Sequence, residues 1–173
     1  MLGDKCGLTI PMGCFVAMDF HLDWLYAALE WCAGRAQPGQ LVDRPAGGAV
    51  TGTIQDVDLL VAFTDEEGRH HLILIEAKGF TGTDNAQLGS KAQRLTAIFG
   101  DAERRYPEID AHFVLVGPRP SFGLSTIGWP EWMRRDGDVH FVELACRTVV
   151  RFLRHPDALA DVEHRRFVAL AFA

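Results

Sequence analysis

The chain lacks the cysteine patterns of zinc sites and of disulfide-rich domains. Its four cysteines, at positions 6, 14, 32 and 146, form no Cys-x-x-Cys pair and no zinc-ligand spacing with histidine. We interpret them as the reduced, mostly buried thiols of a cytoplasmic protein rather than as disulfide partners. The histidine pair His70 and His71 has no third ligand nearby in the sequence, so we expect solvated turn residues there.

Long apolar runs, repeats and low-complexity tracts are also missing. No stretch approaches the roughly 18 apolar residues of a membrane span. Asp4 and Lys5 precede a weak apolar run that Pro11 and glycines interrupt, which is a poor secretory signal. The sequence of 173 residues therefore predicts a single globular domain without membrane association, with a core at about 19–144 and C-terminal helices within 148–173.

Positive charge is in short supply. The formal net charge of −6 argues against a protein that coats nucleic acid nonspecifically, because phosphate neutralisation provides most of that affinity. A nuclease stays compatible with this balance, since acidic catalytic groups lower the net charge and only one face has to be basic.

The most informative stretch, residues 56–78, reads as two adjacent strands joined by a turn. The segments 57–63 and 71–77 are apolar on both faces, as in strands that are covered on both sides, and 65–68 supplies turn residues. Asp58 starts the first strand, and Glu76 and Lys78 end the second on one face, because side chains alternate along a strand. Antiparallel pairing would bring Asp58 to the same place.

Such a cluster has two interpretations. Charges at the edge of a core lose hydration unless they are paired or bind an ion, so a structural salt bridge is the simpler one. The other is catalytic. Two carboxylates suit Mg²⁺ or Mn²⁺, and a lysine beside them can orient an attacking water and neutralise charge on phosphorus.

The arrangement resembles the PD-(D/E)xK nuclease superfamily, with Asp58 as the strand-borne acid and Glu76-Ala77-Lys78 as the ExK element. The resemblance implies a restriction-endonuclease-like α/β sandwich of three layers with a mixed central sheet. It also implies a Mg²⁺- or Mn²⁺-dependent nuclease, an endonuclease that acts on DNA, with Asp58, Glu76 and the Ala77 carbonyl as metal ligands and Lys78 positioning the water. Val57 stands where many members have proline, and Asp56 is a rival metal ligand.

Two predicted helices flank this hairpin. One runs over 19–33 with Asp19 as its cap, and the resemblance makes its Glu30 a further catalytic and metal-binding residue; a partly exposed surface glutamate is the alternative. The other begins after Thr83 or Asp84, and by resemblance its Gln87 belongs to the catalytic site. Basic residues on this helix and beyond it are predicted to bind nucleic acid, with a solvated face as the alternative: Lys91, Arg94, Arg119, Arg134 and Arg135.

The remaining elements complete the predicted order. Strands are expected at 46–54, 111–116 and 139–144, and a loop or short helix at 121–138, where Trp129 and Trp132 either pack on the core or stack on bases. Helices are expected at 148–153 and from Asp157 to the end. The apolar C-terminus, FVALAFA, either docks on the sheet or forms a homodimer contact.

Two other functions remain open from the sequence. One is a catalytically inactive module that keeps the fold and binds nucleic acid or protein. The other takes the segment GFTGT at 79–83 as a phosphate-binding loop, although it lacks the GxxxxGK[ST] pattern and Lys78 precedes it.

Overall fold

The computed structural model describes residues 2–37, 52, 55–79, 84–101, 105–120, 123–144, 149–154 and 167–172. The chain divides into two compact units, Met1–Glu143 and Leu144–Ala173. Within the described ranges, no helix is both long enough and apolar enough to cross a membrane.

The first unit is built on a mixed six-stranded sheet with strand order β1-β2-β3-β4-β6-β5. Its strands are β1 (Phe15–His21), β2 (Asp56–Thr64), β3 (His70–Ala77), β4 (Ile109–Gly117), β5 (Arg134–Arg135) and β6 (Asp138–Glu143). Its helices are α1 (Leu2–Cys6), α2 (Leu22–Cys32) and α3 (Asn85–Phe99), with a short 3-10 helix at Glu131–Met133. This confirms the prediction of an α/β fold with a mixed sheet.

The predicted hairpin is the centre of this sheet. β2 and β3 pair antiparallel from Leu59 opposite Ile75 to Thr64 opposite His70. The turn forms because the Asp65 amide donates to the Arg69 carbonyl at 2.9 Å, and Gly68 adopts a φ of 83° that other residues avoid. β3 then pairs parallel with β4, and a parallel connection requires a crossover, which α3 provides.

The two faces of the sheet are covered differently. α2 and α3 pack on one face, where Leu25, Leu74 and Leu95 belong to the larger apolar core. The other face carries a smaller core around Ile73 and Val114, against which the N-terminal residues Leu2, Cys6, Leu8 and Ile10 pack. Among the described residues, α1, with five residues, is therefore the only helix on this second face.

The start of the predicted first helix is wrong. Residues 15–21 pair with β2 as an edge strand, and α2 begins only at Leu22, with the His21 side chain accepting a hydrogen bond from the Asp23 amide at 3.2 Å. Asp19 does not cap the helix. It has a φ of 49°, whereas residues of a right-handed helix have negative φ values, and α2 begins only at Leu22. The predicted strand at 46–54 falls almost entirely outside the described residues.

The C-terminal unit also departs from prediction. Two strands, β7 (Val149–Arg154) and β8 (Phe167–Phe172), pair antiparallel where helices were expected. The sequences VVRFLR and FVALAF contain β-branched and aromatic residues, which favour strands when another strand is available to pair with.

The histidine and cysteine predictions need smaller corrections. His71 is buried, not solvated, and its Nε2 lies 2.9 Å from an Asp65 carboxylate oxygen. Cys6, Cys14 and Cys32 are free thiols, as predicted, but Cys32 is exposed and the other two are only half-buried. Cys146 lies outside the described residues.

Candidate active site

The candidate site lies where β3 ends beside the start of β2. The Asp58 side chain accepts a hydrogen bond from the Ala77 backbone amide, with Oδ2 and the amide nitrogen 2.6 Å apart. Asp58 is half-buried, and Ala77 is exposed. The antiparallel pairing of the two strands thus brings the first predicted acid to the backbone of the predicted ExK element.

Glu76 is the buried centre of the site. Its side chain is almost fully enclosed, at 2% exposure, and it points to the face that α3 covers. The Lys78 amino group donates to Oε1 at 2.8 Å, and the Lys91 amino group donates to Oε2. Burial of an ionised carboxylate is unfavourable unless it is paired and hydrogen-bonded, and two ammonium groups meet both needs.

The helix after the hairpin supplies two residues to this cluster. Asp84 caps α3 by accepting hydrogen bonds from the amides of Ala86 and Gln87, which fixes the first turn of the helix beside β3. The Gln87 side-chain oxygen accepts a hydrogen bond from Lys78 Nζ at 3.3 Å, and Lys91 follows one turn later. The structure therefore brings together Asp58, Glu76, Lys78 and Gln87 from the sequence-based set.

The charges of this cluster balance. Asp58 and Glu76 carry two negative charges, and Lys78 and Lys91 carry two positive ones. Over the part of the chain that the structure describes, no group of three or more His, Cys, Asp or Glu side chains could hold a metal ion. The carboxylates that the cluster offers are those of Asp58 and Glu76. That set fits Mg²⁺ or Mn²⁺, because Mg²⁺ is commonly held by one or two carboxylates and keeps several waters.

Glu30 is not part of this cluster. Arg35 donates to both of its carboxylate oxygens, and the Tyr106 hydroxyl donates to Oε1 at 2.6 Å. Tyr106 comes just before β4, whose first residue lies opposite His70, the start of β3, whereas Glu76 is near the end of β3. The hydrogen bond from Arg35 lowers the pKa of Glu30, burial opposes this shift, and the Tyr106 hydroxyl adds to it.

The residues predicted to bind nucleic acid differ in how far they are buried. Lys91 and Arg94 are both 4% exposed, so they do not form a surface for phosphates. Arg94 is paired with Asp23 at the start of α2, and burial lowers the pKa of its guanidinium group. These two residues are buried because the polar face of α3 packs against the end of β3, where Lys91 meets Glu76, and against the start of α2, where Arg94 meets Asp23.

The other three arginines differ in their distance from the site. Arg119 is exposed just after β4, and the end of β4 lies beside Ala77 because Val116 pairs with it. Arg134 and Arg135 form β5, three strands away from β3, or about 14 Å at the usual strand spacing. Trp129 is buried, and Trp132 packs on Phe99, which supports the core interpretation of both tryptophans.

Two contributions were not predicted. Lys91 was expected to bind nucleic acid, but it pairs with Glu76, because its position four residues after Gln87 on the same helix face brings it to the strand end. Gly117 is the other. A Cβ atom there would lie 2.5 Å from the Lys78 carbonyl oxygen, so the close approach of the two strand ends requires glycine. A glycine that directly ends a buried apolar strand is the signal in the sequence.

Comparisons with protein-family models, with curated proteins and with solved structures give no match to this chain.

Proposed function

We propose that this protein is a metal-dependent nuclease that hydrolyses phosphodiester bonds, with DNA as its substrate. The observation that carries this proposal is the placement of Lys78. At the end of β3, its amino group is held between Glu76 and Gln87. Lys78 directly follows Ala77, whose amide donates a hydrogen bond to Asp58. The resemblance of the sequence to the PD-(D/E)xK superfamily rests on this arrangement. The order of β2, β3, α3 and β4 supports the same restriction-endonuclease-like fold.

Asp58, Glu76 and the Ala77 carbonyl would hold the Mg²⁺ or Mn²⁺ ion. When bound, such an ion polarises a phosphoryl oxygen and lowers the pKa of a water molecule. Asp58 is suited to this role because it is half-buried and only Oδ2 takes part in the hydrogen bond to Ala77. The hydrogen bond from Ala77 favours Asp58 over Asp56 as the metal ligand in this proposal.

Lys78 performs the part of the chemistry that belongs to the chain itself. Its side chain is largely enclosed, and the contacts to Glu76 and Gln87 restrict the amino group to one region. An ammonium group fixed in advance at a strand end can orient the attacking water and balance charge that develops on the phosphate, without reorganisation during the reaction. Arg119, exposed at the adjacent strand end, adds positive charge on the same side.

Asp58→Asn tests the proposal with little risk to the fold. The asparagine oxygen can still accept the hydrogen bond from Ala77, while the charge needed by a divalent ion is lost. Calorimetric titration with Mg²⁺ and Mn²⁺ and cleavage of linear, single-stranded and branched DNA should both show a loss in this variant. RNA in the same assay tests the preference for DNA.

The matched control is Asp138→Asn. Asp138 is an exposed aspartate that also accepts a backbone hydrogen bond, from Val139 at 2.7 Å, but it begins β6, away from the site. The Asp138→Asn variant should bind metal and cleave DNA as the wild type does. Equal activity of both variants, or no cleavage and no millimolar metal binding by the wild type, contradicts the proposal.

One observation favours a second function, that of a catalytically inactive module that binds nucleic acid or protein. Both oxygens of Glu76 are already paired with lysines, and the cluster is neutral without an ion. In that case the charged groups serve the structure alone. DNA binding that is insensitive to metal and to Asp58→Asn, without cleavage, would establish this alternative.

A further inference from the structure

The outer edge of the sheet at β1 has unusual surface chemistry. Among the described residues, no strand pairs with the outer side of β1. Its inner side pairs regularly with β2, from Phe15 opposite Ala62 to Met18 opposite Leu59. Alternate backbone amide and carbonyl groups of 15–18 therefore face outward, which is a template for another strand.

This edge lacks the protection that natural edge strands usually carry. Charged side chains, proline and bulges are the common devices that prevent pairing, yet 7–18 contains no charged residue at all and proline only at position 11, before the strand. The irregularity at Asp19 comes after the regular stretch. In a chain of net charge −6, two copies repel each other over most of their surfaces, but not along this segment.

Apolar surface is concentrated at the same edge. Val16 and Met18 are 54% and 76% exposed, although both lie in a strand. On the opposite face of the same edge, the Trp24 ring on the adjoining helix contacts that of Phe20, which in turn contacts Phe15. Of the large apolar side chains that are exposed in the described residues, six of eight belong to this region: Met12, Phe15, Val16, Met18, Trp24 and Trp31.

The amount of this surface is enough for a stable contact. Buried aromatic side chains contribute about 150–250 Å² each, and Phe15, Trp24 and Trp31 all expose about half of theirs or more. With Val16 and Met18 on the other face, the edge provides several hundred Å² in total, which is on the order of the roughly 800 Å² per partner of a standard interface.

We propose that β1 pairs antiparallel with β1 of a second copy of this chain, which joins two six-stranded sheets into one. A second copy fits because a two-fold axis makes an antiparallel edge self-complementary, and the uncharged residues 16–18 of each copy then meet the same uncharged residues of the other. With the axis at Ala17, Val16 faces Met18 of the other copy on one side of the joined sheet. This interface does not depend on the proposed nuclease activity.

Light scattering coupled to size exclusion tests this directly on the full chain. The wild type should have twice the chain mass, and Val16→Lys/Met18→Lys should be monomeric with an unchanged circular dichroism spectrum, because both side chains are exposed in the monomer. Ile127→Lys is the matched control: Ile127 is 92% exposed but lies in a loop outside β1, and this variant should remain dimeric.

A mixing experiment identifies the geometry. Val16→Glu/Met18→Glu should also be monomeric alone, and mixing it with the lysine variant should restore a mass of two chains, because opposite charges then face each other. A wild-type monomer at all concentrations, a lysine variant that stays dimeric or a mixture that stays monomeric each overturns the proposal.

Hydrogen exchange of the wild type gives an independent reading, since the outward amides of 15–18 should become protected as concentration rises; fast exchange at every concentration also overturns it.

Discussion

The Tyr106 hydroxyl lies 2.6 Å from Oε1 of Glu30, and this hydrogen bond ties the end of α2 to the segment that leads into β4. Tyr106 is almost fully buried, and its ring also lies under the Arg35 guanidinium group at 4.9 Å. Glu30, Arg35 and Tyr106 thus form a structural cluster, distinct from the residues around Glu76.

Removing the hydroxyl should weaken the fold but not the candidate site. Tyr106→Phe should lower the free energy of unfolding by about 2 kcal/mol, since hydrogen bonds to charged groups contribute about 1.5–3 kcal/mol. Chemical denaturation of Tyr106→Phe, Glu30→Gln and the double variant measures the coupling. Additive losses in that cycle would show that the two groups do not interact, and a loss of metal binding in Tyr106→Phe would place this cluster in the site after all.

Acid should weaken the same cluster. Because the pKa of Glu30 is lowered by folding, its stabilising contribution is complete above the unfolded-state value, about 4.3, and is lost as the pH falls through the lower folded value. The stability difference between wild type and Glu30→Gln should therefore shrink as the pH drops from about 6 to 3. Denaturation curves across that range test this, and a difference that grows on acidification would reverse the sign of the linkage.

The buried pair of Lys91 and Glu76 should be costly to break from one side. Lys91→Met leaves a buried carboxylate with Lys78 alone, and loss of one partner of a buried ion pair typically costs about 3–5 kcal/mol. Glu76→Gln/Lys91→Met should be more stable than Lys91→Met, because it removes the negative charge that Lys91 had balanced and keeps a side-chain oxygen for Lys78.

The control for this pair is Arg69→Met. Arg69 binds Asp110 at 2.9 Å, but its side chain is about half exposed, and exposed pairs contribute about 0–1 kcal/mol. Thermal and denaturant unfolding of the three variants would compare them. Equal losses in Arg69→Met and Lys91→Met would mean that burial does not govern the strength of these pairs.

Gly117→Ala should disturb the site through the backbone. The added Cβ would meet the Lys78 carbonyl oxygen at 2.5 Å, so the end of β3 has to move and Lys78 with it. We expect lower stability and, in an active nuclease, a fall in cleavage that exceeds the fall in metal binding, because Lys78 is displaced more directly than Asp58.

Gly89→Ala is the control on the neighbouring helix. A Cβ at position 89 meets nothing within 4 Å, and alanine favours a helix over glycine by about 1 kcal/mol. This variant should be more stable than the wild type with unchanged cleavage. A Gly117→Ala protein that unfolds and cleaves like the wild type would refute the close approach of the two strand ends.

The sequence predicted best where local pattern and tertiary environment agree. The runs around 57–63 and 71–77 are long, apolar and separated by turn residues, so the hairpin and the meeting of Asp58 with the ExK element could be anticipated. α3 has a capping aspartate and a regular apolar face, so its start was predicted correctly, with Asp84 as one of the two expected caps.

It predicted poorly where long-range pairing decides. The residues of β1 have no helical or alternating pattern of their own, and they form a strand because β2 is beside them. Glu30 was assigned to the site through the resemblance, but its partners Arg35 and Tyr106 become neighbours only in the folded chain. The polar stripe of α3 likewise resembles a solvated or phosphate-binding face until Asp23 and Glu76 are placed against it.

The meeting of Lys78 and Lys91 on one carboxylate also determines how this protein can be labelled. The sequence contains three lysines, at positions 5, 78 and 91, and two of them are on Glu76. Amine-reactive dyes and crosslinkers therefore have few targets, and Lys91 is protected by burial. Acylation at Lys78 should report whether a nucleic acid or a metal ion covers the strand end, so one mass shift on one peptide would serve as a footprint of the site.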